Sequence, residues 1–489
     1  MWIPASAGII HVNLQLTPLS MKIFNTAAER SSVVIGAASP SKEFEPVTQR
    51  YHRLLHRYSG STRDNVFDQG LPPAEFKAEG SMQTIHERCC GLDVHKETVV
   101  ACILTPEGKE IQSFSAMTNG LLKLADWLSE RGVTHVAMES TGVYWKPVYN
   151  LLEGDFEAMV VNAQHIKAVP GRKTDVKDAE WIAKLLQHGL IRGSFIPDRP
   201  QRELREVVRY RRSIIRQRAQ VVNRIQKVLE GANIKLSNVA TDVVGASGRA
   251  MLKAMINGIE DPTVLAEMAK GRLRKKRTEL EEALKGLISA HQRMMLESLL
   301  RHLDFLDKEI SQLDEEVEQR MRPFEETIRR ISEMPGMGRR NAEEVLAEIG
   351  SDMSRFPSAN HLASWARMCP GNNESAGKRL SGRIGHANSW LRSALVEAAW
   401  SASRTKETYL SAQYHRLASR RGRKKAIIAV GHTILVDIYH IIHDKTDYRD
   451  LGANYFDKRK SSFVIHNAMR RIEQLGFKVT LEPAQALFS

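Results

Sequence analysis

Acid is the scarcer charge in this chain. Lys and Arg number 71 against 57 Asp and Glu, for a formal net charge of +14 and a pI near 9.6. Such an excess favours polyanionic partners, because neutralising phosphates releases counterions. Charge alone also fits a merely basic soluble protein. Cysteine is scarce too. The four present (Cys89, Cys90, Cys102, Cys369) form no CxxC pair and no zinc spacing, which excludes a disulfide scaffold and a zinc module. They read as reduced thiols of a cytosolic protein. A long unbroken apolar run is missing as well. The most apolar late segment, residues 426–442, is interrupted by His432, Asp437 and His440, so it reads as a buried helix and not as a membrane span. The N-terminus shows no signal-peptide pattern. A cytoplasmic protein with no membrane partner is the expectation.

At 489 residues the chain is long enough for two or three domains. Residues 1–81 mix Ser, Pro, Ala and Gly with no sustained period, and read as a disordered or spurious extension. From residue 88 to 117 come three short β runs with a turn at Pro106-Glu107-Gly108. A helical stretch follows, carrying Leu121, Leu124, Trp127 and Leu128, then a strand ending at Glu139. A helix over 144–153, a strand over 156–161 and a helix capped by Thr174 complete the pattern. Strands first, then alternating α and β, predict an α/β layer fold of ribonuclease H type over residues 82–235. Residues 236–325 read as a helical linker and coiled coil, 326–445 as a mainly α domain, and 446–489 as a tail. The coiled-coil seam is Leu296, Leu299, Leu303, Leu306, Ile310, Leu313 and Val317, spaced alternately three and four, with Pro323 as its end. The seam can pair within the chain or between protomers.

Four acids stand out in the α/β part. Asp93 lies in Gly91-Leu92-Asp93-Val94-His95-Lys96, directly before an apolar run. Glu139 closes His135-Val136-Ala137-Met138-Glu139. Asp175 and Asp178 are three apart in Asp175-Val176-Lys177-Asp178, so on a helix both project from one face. Carboxylates gathered this way repel one another unless a cation sits among them. Two magnesium ions roughly 4 Å apart would activate an attacking oxygen and stabilise a leaving one. Any single carboxylate here also fits a helix cap or surface charge; four in these contexts are harder to dismiss. His95 and Lys96 read as supporting residues.

A second focus is Ser375, in Asn373-Glu374-Ser375-Ala376-Gly377-Lys378-Arg379. A serine beside Lys378 and Arg379 could attack a phosphodiester while the cations hold the phosphate. A phosphate-binding or turn-capping serine fits the local sequence better, and Ser381 and Ser364 are equally plausible from it. Residues 199–230 carry ten Arg or Lys against three Glu. Arg202, Arg205, Arg209, Arg211, Arg212, Arg216, Arg218 and Arg224 lie on a helix whose apolar side would face the protein. This run reads as a nucleic-acid contact in preference to a solvated face. The turn Pro335-Gly336-Met337-Gly338 fits a phosphate-touching hairpin and an ordinary interhelical turn equally well. A last basic run, Arg420-Arg421-Gly422-Arg423-Lys424-Lys425, precedes the apolar helix.

The segments Glu87-Arg88-Cys89-Cys90-Gly91-Leu92-Asp93, Met138-Glu139-Ser140-Thr141-Gly142 and Asp175-Val176-Lys177-Asp178-Ala179 resemble the DEDD transposases of bacterial insertion sequences, family 110, subgroup 1111. Pro335-Gly336-Met337-Gly338 and Pro370-Gly371-Asn372-Asn373-Glu374-Ser375-Ala376-Gly377-Lys378 are similar to that family's second signature. The resemblance spans about residue 82 to residue 439. It implies a RuvC-like N-terminal domain, a coiled coil and a C-terminal transposase domain. It implies that Asp93, Glu139, Asp175 and Asp178 bind magnesium, and that Ser375 forms a covalent link to DNA. The family's Ser-Gly-Gly-Lys appears here as Ser375-Ala376-Gly377-Lys378. The resemblance further implies DNA partners (element ends and target), an element-encoded guide RNA, a homo-oligomer (dimer or tetramer) and a bacterial, nucleoid-associated setting. It suggests that the arginine-rich helix holds RNA or heteroduplex, with pairing reading sequence and protein reading shape. The runner-up is a RuvC-like nuclease, such as a junction resolvase, that hydrolyses DNA with water.

The extension makes one expectation testable. Met82 opens a segment running directly into the first strand, so translation is expected to start there. Mass spectrometry of the natural product should find no peptide from residues 43–50; detecting one would refute the start.

Overall fold

The computed structural model describes residues 83–140, 142–162, 178–370, 373–375, 378–381 and 388–480, with the backbone alone described for 373–375 and 378–381. The expectations for residues 1–81, for Thr174 and for Asp175 lie outside the described residues.

Five strands form the first sheet: β1 (Cys89–Val94), β2 (Thr98–Thr105), β3 (Gly108–Ser115), β4 (His135–Glu139) and β5 (Glu157–Val161), in the order β3-β2-β1-β4-β5. β1, β2 and β3 pair antiparallel, while β4 pairs parallel with both β1 and β5. Alternate side chains of a strand point to opposite faces. Cys90, Leu92 and Val94 therefore enter one core, with Leu121, Leu124 and Leu128 of α1 (Thr118–Glu130) and Val148 and Leu152 of α2 (Trp145–Leu152). Cys89 enters the other, with Ala179, Ile182 and Ala183 of α3 (Asp178–Gln187). The sheet is thus covered on both faces. This is why β4 reads as a continuous apolar run and not as an alternating one.

α3 approaches β1 closely. A Cβ on Gly91 would lie 2.2 Å from the Ala179 carbonyl oxygen and 2.4 Å from the Ala183 nitrogen. The amides of Ile85 and His86, just ahead of β1, donate to the Gln187 carbonyl at the far end of the helix. α3 consequently runs opposite to β1, and its N-terminus lies toward the C-terminal end of that strand.

The rest is mostly helical. α4 (Arg199–Gly231) is followed by short helices including α5 (Ala246–Ile256), then by α6 (Ala290–Met321). A capping box between Ser289 and Gln292 starts α6, and the helix stops two residues before Pro323. The heptad seam pairs inside the chain. Leu296, Leu299, Leu303 and Leu306 are buried against Ile214, Val221, Ile225 and Leu229 of α4, with Ile310 and Leu313 half-buried beside them. Arg211–Asp314, Arg218–Asp307 and Glu203–Arg320 contacts fix α4 and α6 as antiparallel partners. α7 (Glu325–Ser332), α8 (Arg339–Ile349), α9 (Ala359–Trp365), α10 (Ser389–Ala402), α11 (Tyr409–Arg421) and α12 (Arg423–Asp444) build the last core. Leu204 and Val208 of α4 belong to that core as well. Gly336 has φ +84°, and a Cβ there would lie 2.4 Å from the Ala402 nitrogen, so the Pro-Gly turn packs tightly on α10. α12 is long and apolar enough to cross a membrane, but Ala426, Val430, Ile434 and Ile438 lie in the core.

Gly91→Ala tests the strand–helix approach. The added methyl must push α3 off the sheet, and overpacking of this kind costs about 1–3 kcal/mol. The urea unfolding midpoint should fall accordingly; an unchanged midpoint would show that α3 does not bear on β1.

Candidate functional site

β1 and β4 run parallel and in register, with Leu92 opposite Met138. Asp93 and Glu139 are the next residues on each strand. Both lie on the face of Cys89 and Ala137, which α3 covers. Asp178 is the first described residue of α3, one before the Ala179 that abuts Gly91. Three of the four acids thus gather at one end of one sheet face. Asp93 and Glu139 are half-buried and Asp178 is exposed. Asp93 Oδ2 is 3.0 Å from His95 Nε2. Glu139 and Asp178 have no ion-pair partner among the described residues. Glu180, two positions on, differs: Lys109 at 3.1 Å and Lys184 at 2.8 Å engage its carboxylate and hold it below the usual range, chiefly by hydrogen bonding.

The donor set is all carboxylate oxygen, which suits a hard cation such as magnesium. Among the described residues no group of three or more His, Cys, Asp or Glu is placed to hold a metal ion. The expected fourth acid, Asp175, lies outside those residues. The nearby thiols offer no alternative. Burial pushes Cys89 up to about 12 and Cys102 up to about 11, so both stay protonated at neutral pH.

Ser375 ends β6 (Asn373–Ser375) and stands in register opposite Lys378, the first residue of β7 (Lys378–Ser381). Arg379 pairs with Glu374 in the same hairpin. This pairing brings the serine and the lysine backbones side by side. Side-chain roles at Ser375, Lys378 and Arg379 lie outside what is described.

The arginine-rich helix differs most from its expectation. Six of its eight named arginines are paired inside the protein. Arg202 binds Glu153 through both terminal nitrogens, at 3.0 and 2.6 Å, and its guanidinium lies over Tyr149. Arg209 grips Glu348 at 2.7 and 2.8 Å, while Arg205 donates to the Ala347 carbonyl at 3.1 Å. Arg211 bonds Glu343 at 2.8 Å and Asp314 at 3.1 Å; Arg212 bonds Glu344 and Glu397. Arg218 bonds Asp307. Arg211 and Arg212 are 2% and 5% exposed, so neither can meet a phosphate. Burial pulls the Arg205 guanidinium down, to about 10, against the opposing pull of Glu348, so it too stays charged. Arg216 and Arg224 remain exposed. Trp390 was not singled out from sequence. Arg209 and Arg216 lie over its ring at 5.9 and 5.2 Å. Nothing local links positions 216 and 390.

Two family models match this geometry's two halves. Residues 90–234, with the acids and α4, match the model described as "Transposase" of the DEDD, IS110 type. Residues 328–415, including the Ser375 hairpin, match "Transposase IS116/IS110/IS902 family". The chain carries two IS110-family transposase domains. It is also similar to the pilin gene-inverting protein of Moraxella lacunata, 24% identical over 374 residues, covering 73% of this chain and 96% of that protein. The domains mark the chain as an enzyme of DNA transposition or recombination.

The ion pairs of α4 predict a contrast. Removing one partner of a buried pair costs about 3–5 kcal/mol, so Arg211→Ala should destabilise the fold by that order. Exposed Arg224→Ala should change it by less than about 0.5 kcal/mol. Denaturant midpoints of both variants decide. Equal midpoints would mean that Arg211 is not a structural ion.

Proposed function

We propose that this chain is the recombinase of an insertion sequence, which excises and inserts its element by magnesium-dependent strand cleavage and rejoining. The observation that carries the reading is the juxtaposition of Asp93 and Glu139 on adjacent parallel strands, beneath the helix that carries Asp178, in a chain with two transposase domains. A meander of three strands followed by parallel strands and covering helices supports a ribonuclease H-type, RuvC-like reading of the first domain. Asp93, Glu139, Asp175 and Asp178 would hold magnesium, which would supply charge stabilisation at the phosphate and at the leaving oxygen.

Ser375 is the proposed nucleophile. Its oxygen attacks the scissile phosphorus, its proton passes to a nearby base or to water, and the bond from phosphorus to a deoxyribose oxygen breaks. The departing oxygen takes up a proton, leaving a phosphodiester to serine. A hydroxyl of the second DNA end then attacks that phosphorus and releases Ser375, so the strand is rejoined without net hydrolysis. Lys378, opposite Ser375, and Arg379 would hold the phosphate. Target choice would come from an element-encoded guide RNA, with exposed Arg216 and Arg224 touching its backbone. Assembly as a dimer or tetramer would bring the acids of one protomer to the serine of another.

Covalent trapping tests the chemistry. The chain from Met82 is mixed with magnesium, cognate RNA and labelled junction and target DNA. An SDS-resistant, protease-sensitive adduct is expected, absent in both Ser375→Ala and Asp175→Ala. Cleavage that needs Asp175, survives Ser375→Ala and leaves no adduct would instead establish hydrolysis.

A further inference from the structure

We infer that the corner between α11 and α12, formed by Arg420, Arg421, Arg423, Lys424 and Lys425, docks the phosphate backbone of duplex DNA. The inference rests on the reading that this chain acts on DNA. All five side chains are exposed. None has a hydrogen-bond or ion-pair partner among the described residues, whereas six arginines of α4 are paired internally. The sequence explains the difference: no Asp or Glu occurs between Glu407 and Asp437.

The corner is anchored on the core. Gly422 has φ +82° and reverses the chain between the two helices. Leu410, Tyr414, Ala426, Ile427 and Val430 bury the inner faces, and Gln413 donates to Thr433 Oγ1 at 2.9 Å. Helix stability does not account for all of the cations. Arg420 and Arg421 suit the C-terminal end of α11, but Arg423, Lys424 and Lys425 occupy the first turn of α12, where positive charge opposes the helix dipole. They weaken their own helix, and a polyanion reverses that penalty.

Duplex DNA fits better than a membrane. Surface-bound basic helices pair their cations with an exposed apolar face, and here the apolar side of α12 is buried in the core. The cluster lies beyond the residues 328–415 that match the transposase model.

The test uses the full chain and fluorescence anisotropy with a labelled DNA duplex across a salt series. The variant carries Arg420→Gln, Arg421→Gln, Arg423→Gln, Lys424→Gln and Lys425→Gln, all surface changes, with circular dichroism confirming the fold. Binding should weaken about tenfold or more, and the slope of log affinity against log salt should flatten by about 0.9 for each phosphate that is no longer neutralised. Lys235→Gln with Lys285→Gln, exposed and paired with Glu230 and Glu282, is the control and should leave the slope unchanged. Wild-type affinity and slope in the five-site variant overturn the proposal. So does a loss confined to duplex RNA or to phosphatidylserine vesicles, or a wild-type chain that binds no duplex DNA at any salt. The Ser375 adduct is read separately, so strand cleavage by a five-site variant with unaltered DNA binding would sink this proposal alone.

Discussion

A guanidinium taken out of water needs a carboxylate beside it, and α4 buries several. Arg205, Arg209, Arg211 and Arg212 meet Glu343, Glu344 and Glu348 of α8, three glutamates that are themselves 2–6% exposed. Such pairs gain little net stability over a well-packed apolar contact. Each pair nonetheless ties one position of α4 to one of α8. The register of α4 on α8 is therefore fixed, and with it the alignment of the last core. The same helix reaches the end of α2 in the sheet domain through Arg202 and Glu153, and α6 through Arg218 and Asp307. At 33 residues it is a rod of about 50 Å, and three parts of the molecule are indexed along it.

The acids depend on a different constraint. Acids at one end of a sheet face repel one another, so the fold must set their positions by other means. Parallel pairing of β1 and β4 puts Asp93 and Glu139 at matching positions at the strand ends. Gly91, lacking a side chain, lets α3 settle against β1 and brings Asp178 to the same end. The apolar contacts of Ala179, Ile182 and Ala183 hold the arrangement from behind, where no charge intrudes.

Much of this was legible because local signals were strong. Strand alternation and the Pro106-Glu107-Gly108 turn place β2 and β3, and the three-four spacing from Leu296 to Val317 places α6. The partner of that seam was not legible, since Ile214 to Leu229 lie more than sixty residues earlier and helical spacing does not encode its own mate. The internal pairing of the arginine run was not legible for the same reason. Its density suggested an open basic face, yet Glu343 lies 132 residues from Arg211 and no window reaches both. The positions of Asp93 and Glu139 at strand ends were legible from the strand patterns, whereas the turn expected to carry Asp175 lies outside the described residues. Ser375 was not legible, because Ser364 and Ser381 sit in comparable surroundings; its assignment came from the resemblance.

Net charge alone therefore does not show which cations are free. The surplus of +14 belongs to the whole chain, and where it acts depends on where acids are absent. Between residues 199 and 230 the cations outnumber the acids within the segment, but distant carboxylates fold back onto them. Around Gly422 no acid lies within a dozen residues on either side in sequence, and the described ion pairs bring none in. Unspent charge is what a phosphate chain can use, because a guanidinium already held by a buried glutamate has no counterion to exchange. The densest run of arginine thus serves as internal scaffolding, and the shorter run at the helix corner keeps its charge for a partner.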